Sequence, residues 1–178
     1  MTTHAQPALG RIQHLQALEH SWSCLLAEAV GSRNLISVLC ATSRFGNWAL
    51  SATTALLLLA VQGPRVFGLF LVATLAAVGL QSGIKQLCRR TRPCHRPDGP
   101  PQRAPIPDHG SFPSGHTLHA VMAAVLVGVL VPVAAPFFVV VAMLMAASRV
   151  VLGVHYPTDV IAGGVIGGLF AVLVLSVV

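Results

Sequence analysis

The stretch SRVVLGVHYPTDVIAGGVIGGLFAVLVLSVV, residues 148–178, sets Arg149, His155 and Asp159 directly before an apolar run that continues to the last residue. From Pro157 onward that run is long enough, as a helix, to cross the ~30 Å hydrocarbon core of a bilayer. Gly163-Gly164 and Gly167-Gly168 give it a flat face on which a second helix can pack closely. Charge at the edge of such a segment is costly and is kept where it has a task. The whole chain carries five acidic residues, so an aspartate four positions after a histidine demands a chemical reason.

Composition points the same way. The 178 residues are 54% hydrophobic and 9% charged, with a mean hydropathy of +0.76, more apolar than a water-soluble domain requires. The expected fold is all-α: an integral membrane helical bundle of about five transmembrane helices plus an N-terminal interfacial amphipathic helix, a six-helix core. The length suits one domain, residues 1–178. Spans are expected over about 46–62, 66–88, 114–131, 137–152 and 157–178. Trp48 is placed like an interfacial anchor, and Gly79-x-x-x-Gly83 permits close helix approach. In residues 8–43, Ile12, Leu15, Leu18, Trp22, Leu25, Leu26 and Ala29 recur at three- and four-residue steps, with Gln13, Glu19, His20 and Glu28 on other faces. That pattern predicts that segment 1–44 lies in the interface, apolar face down, with a cap packed on the bundle as the alternative. Residues 1–20 are too polar to read as a cleavable signal.

Between the second and third spans lies a Pro-rich surface loop, residues 93–112, whose six prolines between 93 and 107 exclude a continuous helix. Arg89, Arg90, Arg96, Arg103 and His109 are expected to face solvent or headgroups. Cys24, Cys40, Cys88 and Cys94 lack metal-type spacing and are expected to be free thiols. The net charge of +6 does not indicate nucleic acid, because the basic residues cluster at membrane edges and no aromatics interleave them.

Alternating the spans brings three segments to one face. They are Lys85 to Pro93, Pro113 to His116, and Ser148-Arg149 with His155 and Asp159. Of the eleven lysines and arginines, only Arg65 falls on the other side. Lys85, Arg92 and Arg149 are cationic donors suited to phosphate oxygens. Ser114 and Gly115 begin a helix, whose free N–H groups favour an anion, and Gly115 allows close backbone approach. A neutral imidazole at His155 can attack phosphorus if its other nitrogen is held, and Asp159 is close enough in sequence to hold it. Pro157 suits the first position of that helix. His119, one turn after His116, reads equally as a partner of the site or as a packing residue.

Together the three segments, KQLCRRTRP, PSGH and SRVVLGVHYPTD, resemble the signature of the type 2 phosphatidic acid phosphatase superfamily, KxxxxxxRP, PSGH and SRxxxxxHxxxD. The resemblance covers residues 85–159 and every signature position. It implies a membrane lipid phosphatase in which His155 forms a phosphohistidine, Asp159 orients it, and His116 protonates the leaving alkoxide. Lys85, Arg92, Ser114, Gly115 and Arg149 would bind the phosphoryl group. No cofactor and no metal are expected: three cations already supply the positive charge, and the sequence sets no second carboxylate near the histidines. The implied partners are a lipid phosphate substrate and membrane lipids, in the cell membrane. Undecaprenyl pyrophosphate, phosphatidylglycerophosphate, phosphatidic acid and a lipid A phosphate all fit. Phosphotransfer to another hydroxyl shares the first half-reaction and stays open. An anion transporter would need a polar path and usually a repeat, and neither is visible. Charge counting assigns the busy face to the cytoplasm. Charges retained for phosphate are poor witnesses to topology, so the side of the membrane stays open, as does the oligomeric state.

Overall fold

The computed structural model describes residues 6–46, 48–106, 108 and 110–178, with backbone only for 6–13. His109 lies outside the described residues. Among the described residues, seven α-helices run in the order α1 (Gln6–Ala29), α2 (Arg33–Phe45), α3 (Trp48–Gln62), α4 (Pro64–Cys88), α5 (Gly115–Leu130), α6 (Ala135–Val151) and α7 (Pro157–Leu175). Short 3₁₀ turns occupy Pro93–His95 and Pro132–Ala134. No strand occurs among the described residues.

Among the described residues, three helical segments are long and apolar enough to cross a membrane: Pro64–His95, Pro132–Val151 and Pro157–Leu175. Each shows an outward row of large apolar side chains, such as Val72 and Leu75 on α4, Phe137 and Met143 on α6, and Val165 and Leu169 on α7. Such a belt is what lipid covers, since helices satisfy their own backbone polar groups. The protein is thus a multi-pass membrane protein. The other two expected spans, α3 and α5, form apolar helices of 15 and 16 residues. At ~1.5 Å rise per residue, α5 extends only about 24 Å.

Burial explains how α5 can be short. Leu118, Ala120, Met122, Ala123, Leu126 and Val127 are all buried, so α5 is the central post of the bundle. It packs most closely on α7 and α6. Gly163 and Gly167 make this possible, because a methyl group on either would come within 2.3 Å of Ser114 O or 2.2 Å of Leu118 O, respectively. The flat face expected on this helix is therefore formed by one glycine of each pair. Gly79 and Gly83 differ: neither has a neighbour within 4 Å of its absent side chain, so that motif mediates no close contact here.

The N-terminal segment also departs from expectation, as it is two helices rather than one. Residues 30–32 break it, Ser32 caps α2 by accepting the Leu35 N–H at 3.4 Å, and the two axes differ by 118°. Leu15, Leu18, Trp22, Leu25 and Leu26 of α1 are exposed, whereas His20 and Ser23 are buried. The apolar face is thus free for lipid while the polar face turns onto the bundle's charged end.

Candidate active site

The charged end is assembled from helix termini. α6 delivers Arg149, and the chain then reverses: Gly153 adopts φ +75°, where a side chain would also crowd Pro101 O at 2.9 Å. The amides of Val154 and His155 both donate to Arg149 O, at 3.2 and 3.0 Å. That turn brings His155 back beside Arg149, which is the physical content of their six-residue spacing. Pro157 then starts α7 and places Asp159 in its first turn.

The Pro-rich loop closes over this turn. Cys94 N donates to Gly153 O, Arg103 N to Leu152 O, and Ser114 N to Asp159 O. Beneath them Leu39, Ala104, Leu152 and Val154 form a small apolar core. All four cysteines are free, and Cys40 Sγ donates to Arg103 O at 3.3 Å.

A cavity of about 240 Å³ results, lined by Lys85, Arg92, Gly115, His116, His119, Arg149 and His155 at its polar end. Arg92, Arg149, His155 and Asp159 are at most 2% exposed. Arg92 Nη1 lies 3.1 Å from His155 Nε2 and donates to Val154 O, while Nη2 donates to Gly110 O at 2.8 Å. Arg149 Nη1 donates to Ser43 Oγ, and its Nε has no partner among the described residues. On the far side of the imidazole, His155 Nδ1 stands 3.5 Å from Asp159 Oδ2. This is an ion-pair distance, longer than a formed hydrogen bond. These neighbours assign the ring proton to Nδ1 and the lone pair to Nε2. Burial pushes the His155 pKa down to about 4, with Asp159 opposing the shift and Arg92 and Arg149 reinforcing it. The imidazole is therefore neutral across the physiological range.

The structure thus gathers Lys85, Arg92, Gly115, His116, Arg149 and His155 on one cavity, with Asp159 behind His155. Ser114 is different: it is fully buried as the residue before α5, its Oγ lies 3.0 Å from Thr117 Oγ1, and it is absent from the lining. His119 lines the cavity, with Nδ1 unpartnered among the described residues.

Asp108 is the residue that sequence reasoning missed. Its Oδ1 accepts from Arg92 Nη2 and its Oδ2 from Lys85 Nζ, both at 2.7 Å. A second carboxylate therefore does sit in the cavity with the histidines, contrary to expectation. Burial alone would raise its pKa, but Lys85 and Arg92 outweigh that and the net shift is downward. Arg90 and Arg103, expected to face solvent or headgroups, are tethered to the protein instead. Arg103 donates to Ala27 O at 2.8 Å, and Arg90 pairs with both Asp159 and Glu19. The scarcity of acids was the available signal, because Glu19 and Asp108 are as conspicuous as Asp159 in this chain.

Residues 67–178, well over half of the chain, match the sequence profile of the PAP2 superfamily. The chain belongs to the PAP2 superfamily. It is 36% identical over 138 residues to decaprenylphosphoryl-5-phosphoribose phosphatase of Mycobacterium tuberculosis, covering 76% of each chain. The protein of the same name from Mycolicibacterium smegmatis is 45% identical over 101 residues, covering 54% of this chain. The match spans 48%, about half, of that relative's length. The fold is similar to the crystal structure of a transmembrane PAP2 type phosphatidylglycerolphosphate phosphatase from Bacillus subtilis. The TM-score is 0.74 at 23% identity, over 92% of this chain and 86% of that one.

Proposed function

We propose that this PAP2 protein is a lipid phosphatase of the cell membrane that hydrolyses a phosphomonoester through a phosphohistidine on His155. The observation that carries the reading is the shape of the cavity. Its polar end holds the cations with His116, His119 and His155, and its lining continues through Gln81, Val78 and Thr74 down α4 and past Trp48. Thr74 to Lys85 spans roughly 16 Å of helix rise, so a lipid could leave its tail at bilayer depth and present its headgroup to the cations. The named relatives act on a decaprenyl-linked sugar phosphate, and that class of anionic headgroup suits this cavity.

In this reading the phosphoryl oxygens take the donors of Lys85, Arg92 and Arg149 and the N-terminus of α5. Asp108 then shares or surrenders its two cations. The lone pair on His155 Nε2 forms a bond to phosphorus as the P–O bond to the lipid breaks. Asp159 stabilises the resulting imidazolium through Nδ1–H. His116 gives its proton to the leaving alkoxide, and the dianion beside it favours the protonated form. A water, deprotonated by His116, next attacks phosphorus, breaks the P–N bond and releases phosphate. The fixed cations supply the charge that a metal would otherwise bring.

The test is phosphate release from a panel of lipid phosphates by purified protein in chelator, together with acid-labile phosphoenzyme trapping. Wild type should turn over and form an acid-labile adduct, and His155→Ala should do neither. Turnover that needs an added divalent ion, or an adduct that persists in His155→Ala, would overturn the mechanism.

A further inference from the structure

Asp159 is held from outside as well as from the catalytic side. Its Oδ2 accepts the Tyr156 N–H at 2.9 Å and faces His155, while its Oδ1 accepts from Arg90 Nη1 at 2.6 Å. Arg90 is fixed on every side. It donates to Thr158 Oγ1 at 2.8 Å, its Cζ lies 4.2 Å over the Tyr156 ring, and its Nη2 donates to Glu19. Glu19 belongs to α1, and its other oxygen accepts the Thr158 N–H at 3.0 Å at the start of α7. Its side chain is only 12% exposed. A carboxylate on a membrane-surface helix would ordinarily face water, so its burial against one arginine requires a reason. Neither Arg90 nor Glu19 falls in the three signature segments' named positions, and Glu19 precedes the residues that match the family.

We propose that Arg90 and Glu19 are positioning residues for the His155–Asp159 pair: Arg90 locks the Asp159 carboxylate, and Glu19 neutralises Arg90 so that Asp159 keeps its charge for the imidazole. The inference rests on the proposed role of His155 as nucleophile. Its logic is electrostatic. Arg90 alone would draw the carboxylate's charge away from His155, whereas Arg90 paired with Glu19 contributes rigidity with little net field. The N-terminal helix would then set the readiness of the nucleophile, in addition to lying on the membrane.

Two variants should shift the acid limb of the kcat/KM–pH profile in opposite directions. Glu19→Gln leaves Arg90 uncompensated, makes His155 harder to protonate and moves the limb to lower pH. Arg90→Gln frees Asp159 to favour the imidazolium and moves it to higher pH. For charges a few ångströms apart at an effective dielectric of ~20, each shift should reach at least ~0.5 pH unit. The other charged groups facing His155, namely Lys85, Arg92, Asp108, His116 and Arg149, are the same in both proteins. Arg90→Gln should also lower kcat about tenfold with KM little changed, because an Asp159 carboxylate without its outer anchor lets the imidazole shift from its line of attack. Arg90→Lys should keep the wild-type limb. Arg103→Gln, which cuts a separate tether between the loop and α1, should leave kcat and the limb unchanged.

Shifts of the same sign, no shift, or an equal effect of Arg103→Gln would refute the proposal and leave a purely structural clasp. Glu19→Gln is isosteric and carries the test alone if Arg90→Gln does not fold. Run beside them, His155→Ala separates the two failures. If His155→Ala is active, the nucleophile assignment falls, and if it is dead while the limbs do not diverge, only the positioning role falls.

Discussion

Asp108→Asn should make the protein bind inorganic phosphate and vanadate more tightly. The Asp108 carboxylate bridges Lys85 and Arg92 at 2.7 Å each, where the mechanism places substrate oxygens. Two unit charges ~4 Å apart attract by about 4 kcal/mol at an effective dielectric of ~20 and by ~1 kcal/mol in water. The carboxylate is 39% exposed, so the weaker end of that range applies. Its two contacts together then contribute ~2 kcal/mol, part of which its return to water on displacement offsets. The surplus that an incoming dianion must overcome is then on the order of 1.4 kcal/mol, roughly tenfold in affinity. Asparagine keeps the shape and one oxygen acceptor but removes the charge. The assay is competitive inhibition by vanadate, which mimics five-coordinate phosphorus, against a short-chain lipid phosphate at fixed pH. The inhibition constant should fall about tenfold in Asp108→Asn. An unchanged or larger constant would show that Asp108 splints the two cations instead of occupying their anion site.

Other outcomes follow from the same contacts. Arg92→Lys should lower kcat/KM at least ~100-fold, because one ammonium cannot serve Gly110 O, Val154 O and Asp108 together, and each buried acceptor left unpaired costs ~1–3 kcal/mol. The His155 limb of the kcat/KM profile should lie near its pKa of about 4, separate from the limb that the phosphomonoester's own second ionisation gives near pH ~6, if the neutral imidazole is the nucleophile proposed above. The same group makes thermal stability fall with pH between its ordinary 6.5 and about 4, as the unfolded chain takes up a proton that the folded chain refuses. Gly167→Ala should lower detergent-solubilised stability by ~1–3 kcal/mol by driving a methyl into Leu118 O. Gly168→Ala, with open space at that position, should be neutral or stabilise by up to ~1 kcal/mol.

Which features were legible in the sequence follows from how far apart their causes lie. Helix termini at Gly63-Pro64, Pro132 and Pro157 are local signals, and alternation of the spans then forces Lys85, His116, Arg149 and His155 to one end. The convergence on a single cavity needed no knowledge of side-chain packing. The double glycines were legible only by half. Gly79 and Gly83 carry the same local pattern as Gly163 and Gly167, but the spacing says nothing about which face meets α5. The break at residues 30–32 was hidden because apolar residues recur on both sides of it, although Gly31 and Ser32 are ordinary terminators.

The electrostatic partners were the least legible part, since Glu19 and Thr158 are separated by 139 residues and no periodicity connects them. Beside a membrane an unpaired carboxylate is expensive, so in a chain with so few acids each one should be found facing a cation. Asp98 faces His20 and Arg96, Asp108 faces Lys85 and Arg92, and Glu19 and Asp159 share Arg90. Only Glu28 stands exposed without such an ion pair among the described residues. Three of the five acids therefore map the charged end of the bundle, and two of them, Asp108 and Glu19, lie outside every motif. Where charge is this scarce, the acids trace the site's supporting shell more completely than the signature does.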